Sequence, residues 1–158
     1  MDVVSEFDFQ ELRNAVDQAR REATTRYDLK DANIEIDLQD DKIVIDAASE
    51  FQTQAVDGIV LQKAINRGVS PKIFKRKKAE AAGGMRFKQE VELVKSLDQE
   101  NAKKISKIVR DNFPKVKANI QGSTVRLVAK SIDDLQAARK ALLEDKSIEV
   151  PIQFTNYR

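Results

Sequence analysis

Histidine, cysteine and tryptophan are all absent from the 158-residue chain, and it holds only three prolines and five glycines. Without histidine and cysteine there is no Ser-His-Asp triad, no thiolate nucleophile, no zinc site of ordinary ligands and no disulfide. The glycines at 58, 68, 83, 84 and 122 form neither GxGxxG nor GxxxxGK, so both common phosphate-cradling loops are excluded. No apolar run approaches the roughly 20 residues a membrane helix needs. Met1 is followed by Asp2 rather than a basic segment, so neither anchor nor signal peptide is expected and the cytoplasm is the default compartment. Carboxylates, lysines and hydroxyls remain for chemistry, in no recognisable catalytic motif. The expectation is a chain with no enzymatic activity, no catalytic residue, no cofactor and no metal site.

What is present is a composition 41% hydrophobic and 34% charged, which fits a folded globular chain of one domain or two small ones. Period-2 and period-3.6 patterns alternate twice along it. A short strand over 2–7 precedes a helix opened by Asp8 and Glu11 at capping-box spacing and striped by Leu12, Val16, Ala19 and Ala23. Ile34, Ile36 and Leu38, then Ile43 and Ile45, alternate with polar residues across an Asp40-Asp41 turn, which is a hairpin with one buried face. Ser49 and Gln52 open a second helix carrying Phe51, Ala55 and Ile59 and ending near Gly68.

The second half repeats this order. A strand over 86–94 leads to a helix with Ala102, Ile105, Ile108 and Val109, then a hairpin about Gly122-Ser123, a helix opened by Ser131 and a last strand from Pro151. At a constant offset of 82 residues, Ile34 falls on Val116, Ile36 on Ala118, Leu38 on Ile120, Ile43 on Val125 and Ile45 on Leu127. Seven such ungapped matches, ending at Ser49 and Ser131, argue for an internal duplication. The expected fold class is α+β: two tandem ferredoxin-like βαββαβ units, each an antiparallel sheet with two helices on one face.

Charge is unevenly spread under a net value of +2. Residues 1–66 hold 7 basic and 15 acidic groups, 67–88 hold 8 and 1, and 89–158 hold 13 and 10. On the open face of the first hairpin, Glu35, Asp37, Val44, Asp46 and Ala48 sum to −3, whereas their counterparts Lys117, Asn119, Arg126, Val128 and Lys130 sum to +3. Only the second face suits a phosphate-bearing ligand. Lys117, Arg126 and Lys130 are therefore the primary candidates. Arg67, Lys72, Lys75 and Arg76 are added from the densest basic stretch, which continues through Lys77 and Lys78 and equally fits a solvated connecting segment. Lys103, Lys104, Lys107 and Arg110 fit the solvated face of a helix. Stacking of RNA bases on central-strand aromatics is disfavoured, because those strands offer Val44, Arg126 and Val128 instead. Phe7, Phe9, Phe87 and Phe154 read as core.

Particular segments carry a family resemblance. These are Asp2-Val3-Val4-Ser5-Glu6-Phe7-Asp8, Asn14-Ala15-Val16-Asp17, Arg26-Tyr27-Asp28, Ile120-Gln121-Gly122, the stretch from Lys130 to Gln136 and the ending from Pro151 to Arg158. Together they resemble the YajQ family of bacterial nucleotide-binding proteins, over essentially the whole chain. The resemblance implies two ferredoxin-like domains that exchange first strands, with one domain over 8–95, taking in the strand 84–95, and the other over 1–7 and 96–158. It further implies binding of nucleotides, cyclic di-GMP or RNA, and effects on transcription through a protein partner. An alternative function from the charge map is an adaptor that meets a transcription regulator through the acidic first face, Glu35, Asp37 and Asp46. Where many members carry Lys-Arg-Gly after the second helix this chain has Asn66-Arg67-Gly68, one positive charge fewer. The resemblance supplies no residue-level ligand set, so the candidate residues rest on the charge pattern.

Overall fold

The computed structural model of the chain describes residues 1–157. Along the chain run β1 (Asp2–Val4), α1 (Phe9–Thr25), β2 (Glu35–Leu38), β3 (Lys42–Ala47), α2 (Glu50–Asn66), β4 (Phe74–Arg76), β5 (Glu80–Ala82), β6 (Arg86–Leu93), α3 (Gln99–Asn112), β7 (Lys117–Gln121), β8 (Thr124–Val128), α4 (Ile132–Glu144) and β9 (Gln153–Thr155). The chain divides into two compact units, 7–93 and 1–6 with 94–158. Every strand pairing is antiparallel, and the strand orders are β2-β3-β6-β4 in one sheet and β7-β8-β1-β9 in the other. Both follow the ferredoxin-like arrangement, with β6 and β1 as the inner strands beside β3 and β8.

The hairpin ladders coincide at the 82-residue offset. Glu35 faces Asp46 as Lys117 faces Val128, and Asp37 faces Val44 as Asn119 faces Arg126. Period-2 alternation then sorts the faces. Ile43, Ile45 and Ala47 are fully buried, the two isoleucines in one apolar cluster with residues of α1 and α2, as Val125 and Leu127 are buried in the other unit. Each unit has its own apolar cluster, one built on Leu12, Val16, Ile43 and Val56, the other on Val3, Ile105, Leu127 and Leu142.

Several local features differ from the sequence expectation. Asp8 does cap α1, accepting from the Gln10 and Glu11 amides, but Glu11 turns to the Arg67 guanidinium at 3.2 Å instead of closing a capping box. In α2 the buried stripe runs through Thr53, Val56, Ile59, Val60 and Ala64, leaving Phe51 74% exposed. The polar Thr53 joins that stripe because its hydroxyl donates to the Glu50 carbonyl at 2.6 Å. Ile120 is exposed where Leu38, its counterpart, packs against the core. Ser131 opens α4 without a side-chain cap. The basic stretch contains β4: Phe74 is buried, Arg76 pairs with Asp57 of α2, and Lys77 meets Glu92 at 2.8 Å and Glu90 at 3.6 Å.

β1 is only three residues long, yet it is central. Val3 is fully buried, opposite Val125 on one side and Phe154 on the other. On the opposite face Asp2 accepts hydrogen bonds from Arg126 Nε at 3.0 Å and Nη2 at 3.5 Å, and from Asn156 Nδ2 at 2.7 Å. The Arg126 bond, then that of Asn156, holds the Asp2 carboxyl below its ordinary value against the opposing effect of burial. A carboxyl depressed in the folded state stabilises the fold above the unfolded value, about 3.9, and loses that contribution as pH falls through the folded one. Asp2→Asn is therefore expected to lower the melting temperature at neutral pH, with a gap to the parent protein that narrows below about pH 4. A gap independent of pH would contradict this. Val3→Ala is expected to cost about 2 kcal/mol in urea unfolding, with amide-exchange protection falling first at Val125 and Phe154.

Candidate anion site on the second sheet

The open face of β7 and β8 is laid out by their alternation. Arg126 and Val128 point outward along β8 between the buried Val125 and Leu127, and Lys130 follows two residues beyond. Lys117 stands opposite Val128, and Asn119 opposite Arg126. Gly122, at a φ of 60°, closes the hairpin that holds this register.

Two depressions lie side by side on this face and share Val128. One, of about 410 Å³, is lined by Lys115, Lys117, Val128, Ala129, Lys130 and Asp134. Its three lysines are exposed and, among the described residues, none forms an ion pair, so three ammonium groups face one carboxylate. The apolar half-exposed Val128 offers a contact surface between them. The other depression, of about 400 Å³, is lined by Met1, Asp2, Arg126, Val128 and Asn156. Here the guanidinium is tied to Asp2, which raises its own pKa further, and the pair is close to neutral. Lys117 and Lys130 thus come together in one groove, with Lys115 added. Arg126 sits next to them with its charge already matched.

The other sequence candidates belong to the unit 7–93. Arg67 pairs with Glu11, and Arg76 with Asp57. The Lys72 amide donates to Ser70 Oγ at 3.2 Å in the turn before β4, and Lys75 lies exposed opposite Glu92 at the sheet edge. On that unit's open face, Asp46 is bound by Arg86 at 2.7 Å and approached by Lys88 at 4.0 Å, while Glu90 is held low by Lys42 at 3.1 Å and by Lys77. The first face is therefore a mixed, ion-paired surface rather than an acidic one, because β6 and the residues after β4 bring cations that a comparison of hairpins alone omits. A depression of about 410 Å³ there, lined by Lys77, Lys78, Lys88, Glu80 and Glu90 over Val44, has its cations interleaved with carboxylates.

Lys115 was not legible as a site residue because it precedes β7. The signal that identifies it is the continued alternation Lys115, Val116, Lys117, with Val116 buried between two exposed lysines. No helix among the described residues is long and apolar enough to cross a membrane.

Comparison with known proteins gives one consistent result. A family model described as "Nucleotide-binding protein YajQ-like" matches residues 1–158. A Trichodesmium erythraeum protein named "Nucleotide-binding protein" is 50% identical over 157 residues, covering 99% of this chain and 96% of its own. Similarly named proteins of Synechococcus sp. (strain CC9605) and Prochlorococcus marinus (strain MIT 9211) are 51% and 48% identical over 158 residues, with the same coverage. With a match along its whole length and half its residues shared with such relatives, the chain belongs to the YajQ-like family.

Proposed function

We propose that this protein binds nucleotides without transforming them, and that the groove of Lys115, Lys117 and Lys130 receives the phosphates. The observation that carries the reading is the gathering of three unpaired ammonium groups around one groove beside an apolar side chain. Charged donors of this kind make hydrogen bonds to phosphate about twice as strong as neutral ones. Val128 gives the sugar or base an apolar surface to cover. The single carboxylate in the groove, Asp134, leaves it net positive. The names of the relatives, nucleotide-binding proteins, support the same reading. No side chain in the groove is a nucleophile held by a base, which favours binding over turnover. Mononucleotides, cyclic dinucleotides such as cyclic di-GMP, and RNA all offer phosphates to such a groove. The adaptor alternative has less support, since Asp46 is already engaged by Arg86 and Lys88.

In a titration of the pure protein with ATP, GTP, cyclic di-GMP and a short RNA, at least one is expected to bind saturably at physiological salt. Lys117→Gln with Lys130→Gln is expected to weaken that binding tenfold or more while folding stability stays within about 1 kcal/mol, as for other exposed positions. For the RNA, the slope of log affinity against log salt should fall by roughly 1.4 in the double variant, about 0.7 for each ammonium group removed from the phosphates of a single strand. Undiminished binding in the double variant would overturn the assignment.

A further inference from the structure

The depression next to the lysine groove has a chemistry that phosphate binding does not use. Asp2 and Arg126 neutralise each other there, so a second phosphate would have to displace Asp2 from the guanidinium and then face the bare carboxylate. What the pair leaves available is polar but uncharged overall. Asn156 donates Nδ2 to Asp2 at 2.7 Å, and its Oδ1 is an acceptor with no partner among the described residues. Arg126 gives Nε and Nη2 to Asp2, which leaves Nη1 as a donor, also without a partner among the described residues. Asp2 is buried beneath both and fixes their orientation.

An acceptor on Asn156 and a donor on Arg126, lining one depression, suit a hydroxyl, the small group that donates and accepts at once. Their position relative to the lysines narrows the choice. Val128 lines both depressions, and Arg126 precedes it by two residues on the same face, a step of about 7 Å along a strand. That is the step from a nucleotide's phosphate to its own sugar, shorter than the distance to the far edge of its base.

We propose that Arg126 and Asn156, held by Asp2, bind the ribose 2′-hydroxyl of the nucleotide whose phosphates occupy the lysine groove, and so select ribonucleotides over deoxyribonucleotides. The inference rests on the nucleotide-binding reading above. Loss of the hydroxyl returns the exposed Asn156 oxygen and Arg126 N–H to water and costs the ligand the one or two hydrogen bonds they make to it. The 2′-hydroxyl is also the group by which proteins distinguish RNA from DNA. Asp2 and Asn156 act by orientation and acceptance, and Arg126 by donation. The lysines give no such discrimination, since both sugars carry the same phosphates.

The test is calorimetric titration of the full chain with ATP, GTP, CTP and UTP and with the 2′-deoxy counterpart of each. For every base that binds, the ribonucleotide is expected to bind about tenfold more tightly, the effect of one or two hydrogen bonds. Asn156 has a φ of 52°, a conformation glycine adopts freely, so Asn156→Gly removes the amide without straining the backbone. This variant is expected to lower the ratio of ribonucleotide to deoxyribonucleotide affinity several-fold, with Arg126 keeping its own hydrogen bond to the hydroxyl. Lys130→Gln should weaken both sugars alike and preserve their ratio. Equal affinity for the two sugars in the unaltered protein, at a site sensitive to Lys130→Gln, would overturn the inference and leave the nucleotide reading standing. A ratio unchanged in Asn156→Gly, or preference set by the base alone, would also overturn it. Absence of binding by all four triphosphates would overturn the inference, and the nucleotide reading falls with it only if cyclic di-GMP and the short RNA fail to bind as well.

Discussion

The structure of the second unit depends on three residues, Asp2, Val3 and Val4, lying between β8 and β9. Without them the sheet has a gap at its centre, and Val125 and Phe154 lose the Val3 side chain that both pack around. The same pairing sets the electrostatics of the open face. Val3 points into the core, so Asp2 must point outward by strand alternation, and register puts it opposite Arg126. An apolar contact on one side of the strand thus fixes an ion pair on the other, and that ion pair determines which cations of the face remain free for a ligand.

The other unit solves the same problem with different residues. Glu90 of β6 lies opposite Val44, at the place where Asp2 lies opposite Arg126, since residues 44 and 126 are related by the 82-residue offset. Both carboxyls are held below their ordinary values by neighbouring cations. In one sheet the cation comes from the adjoining strand, and in the other Lys42 and Lys77 reach in from either side. The consequence differs. Lys42, Lys77 and Lys88 on the first sheet's face are taken up by Asp46, Glu90 and Glu92, whereas the groove of Lys115, Lys117 and Lys130 is lined, among the described residues, by the single carboxylate of Asp134. A shared scaffold carries one surface where cations and carboxylates are interleaved and one with a groove of net positive charge.

Much of this was legible in the sequence, for reasons that also explain what was not. Strand alternation and helical spacing are local, so the hairpins, the four helices and the outward placement of Lys117, Arg126 and Lys130 could be read directly. The 82-residue offset even matches the ladders pair by pair. Pairing between distant strands is not local. Asp2 stands 124 residues from Arg126, and nothing in either segment announces that one neutralises the other. The first hairpin read as acidic for the same reason, because Lys88 and Arg86 arrive on β6. Phe51 misled by its type: in α2 a hydroxyl that bonds its own helix proved easier to bury than a ring on the first turn.

The central claim is that ligand phosphates meet the protein on the open face of β7 and β8. Its most direct measurement is an amide and side-chain NMR titration of the labelled protein with the nucleotide that binds most tightly. The account predicts that shifts concentrate at Lys115–Asn119, at Arg126–Ser131 and at Asn156, with the Asp2 carboxyl responding alongside. Shifts confined to the stretch from Lys72 to Lys88, with residues 115–131 unmoved, would contradict it.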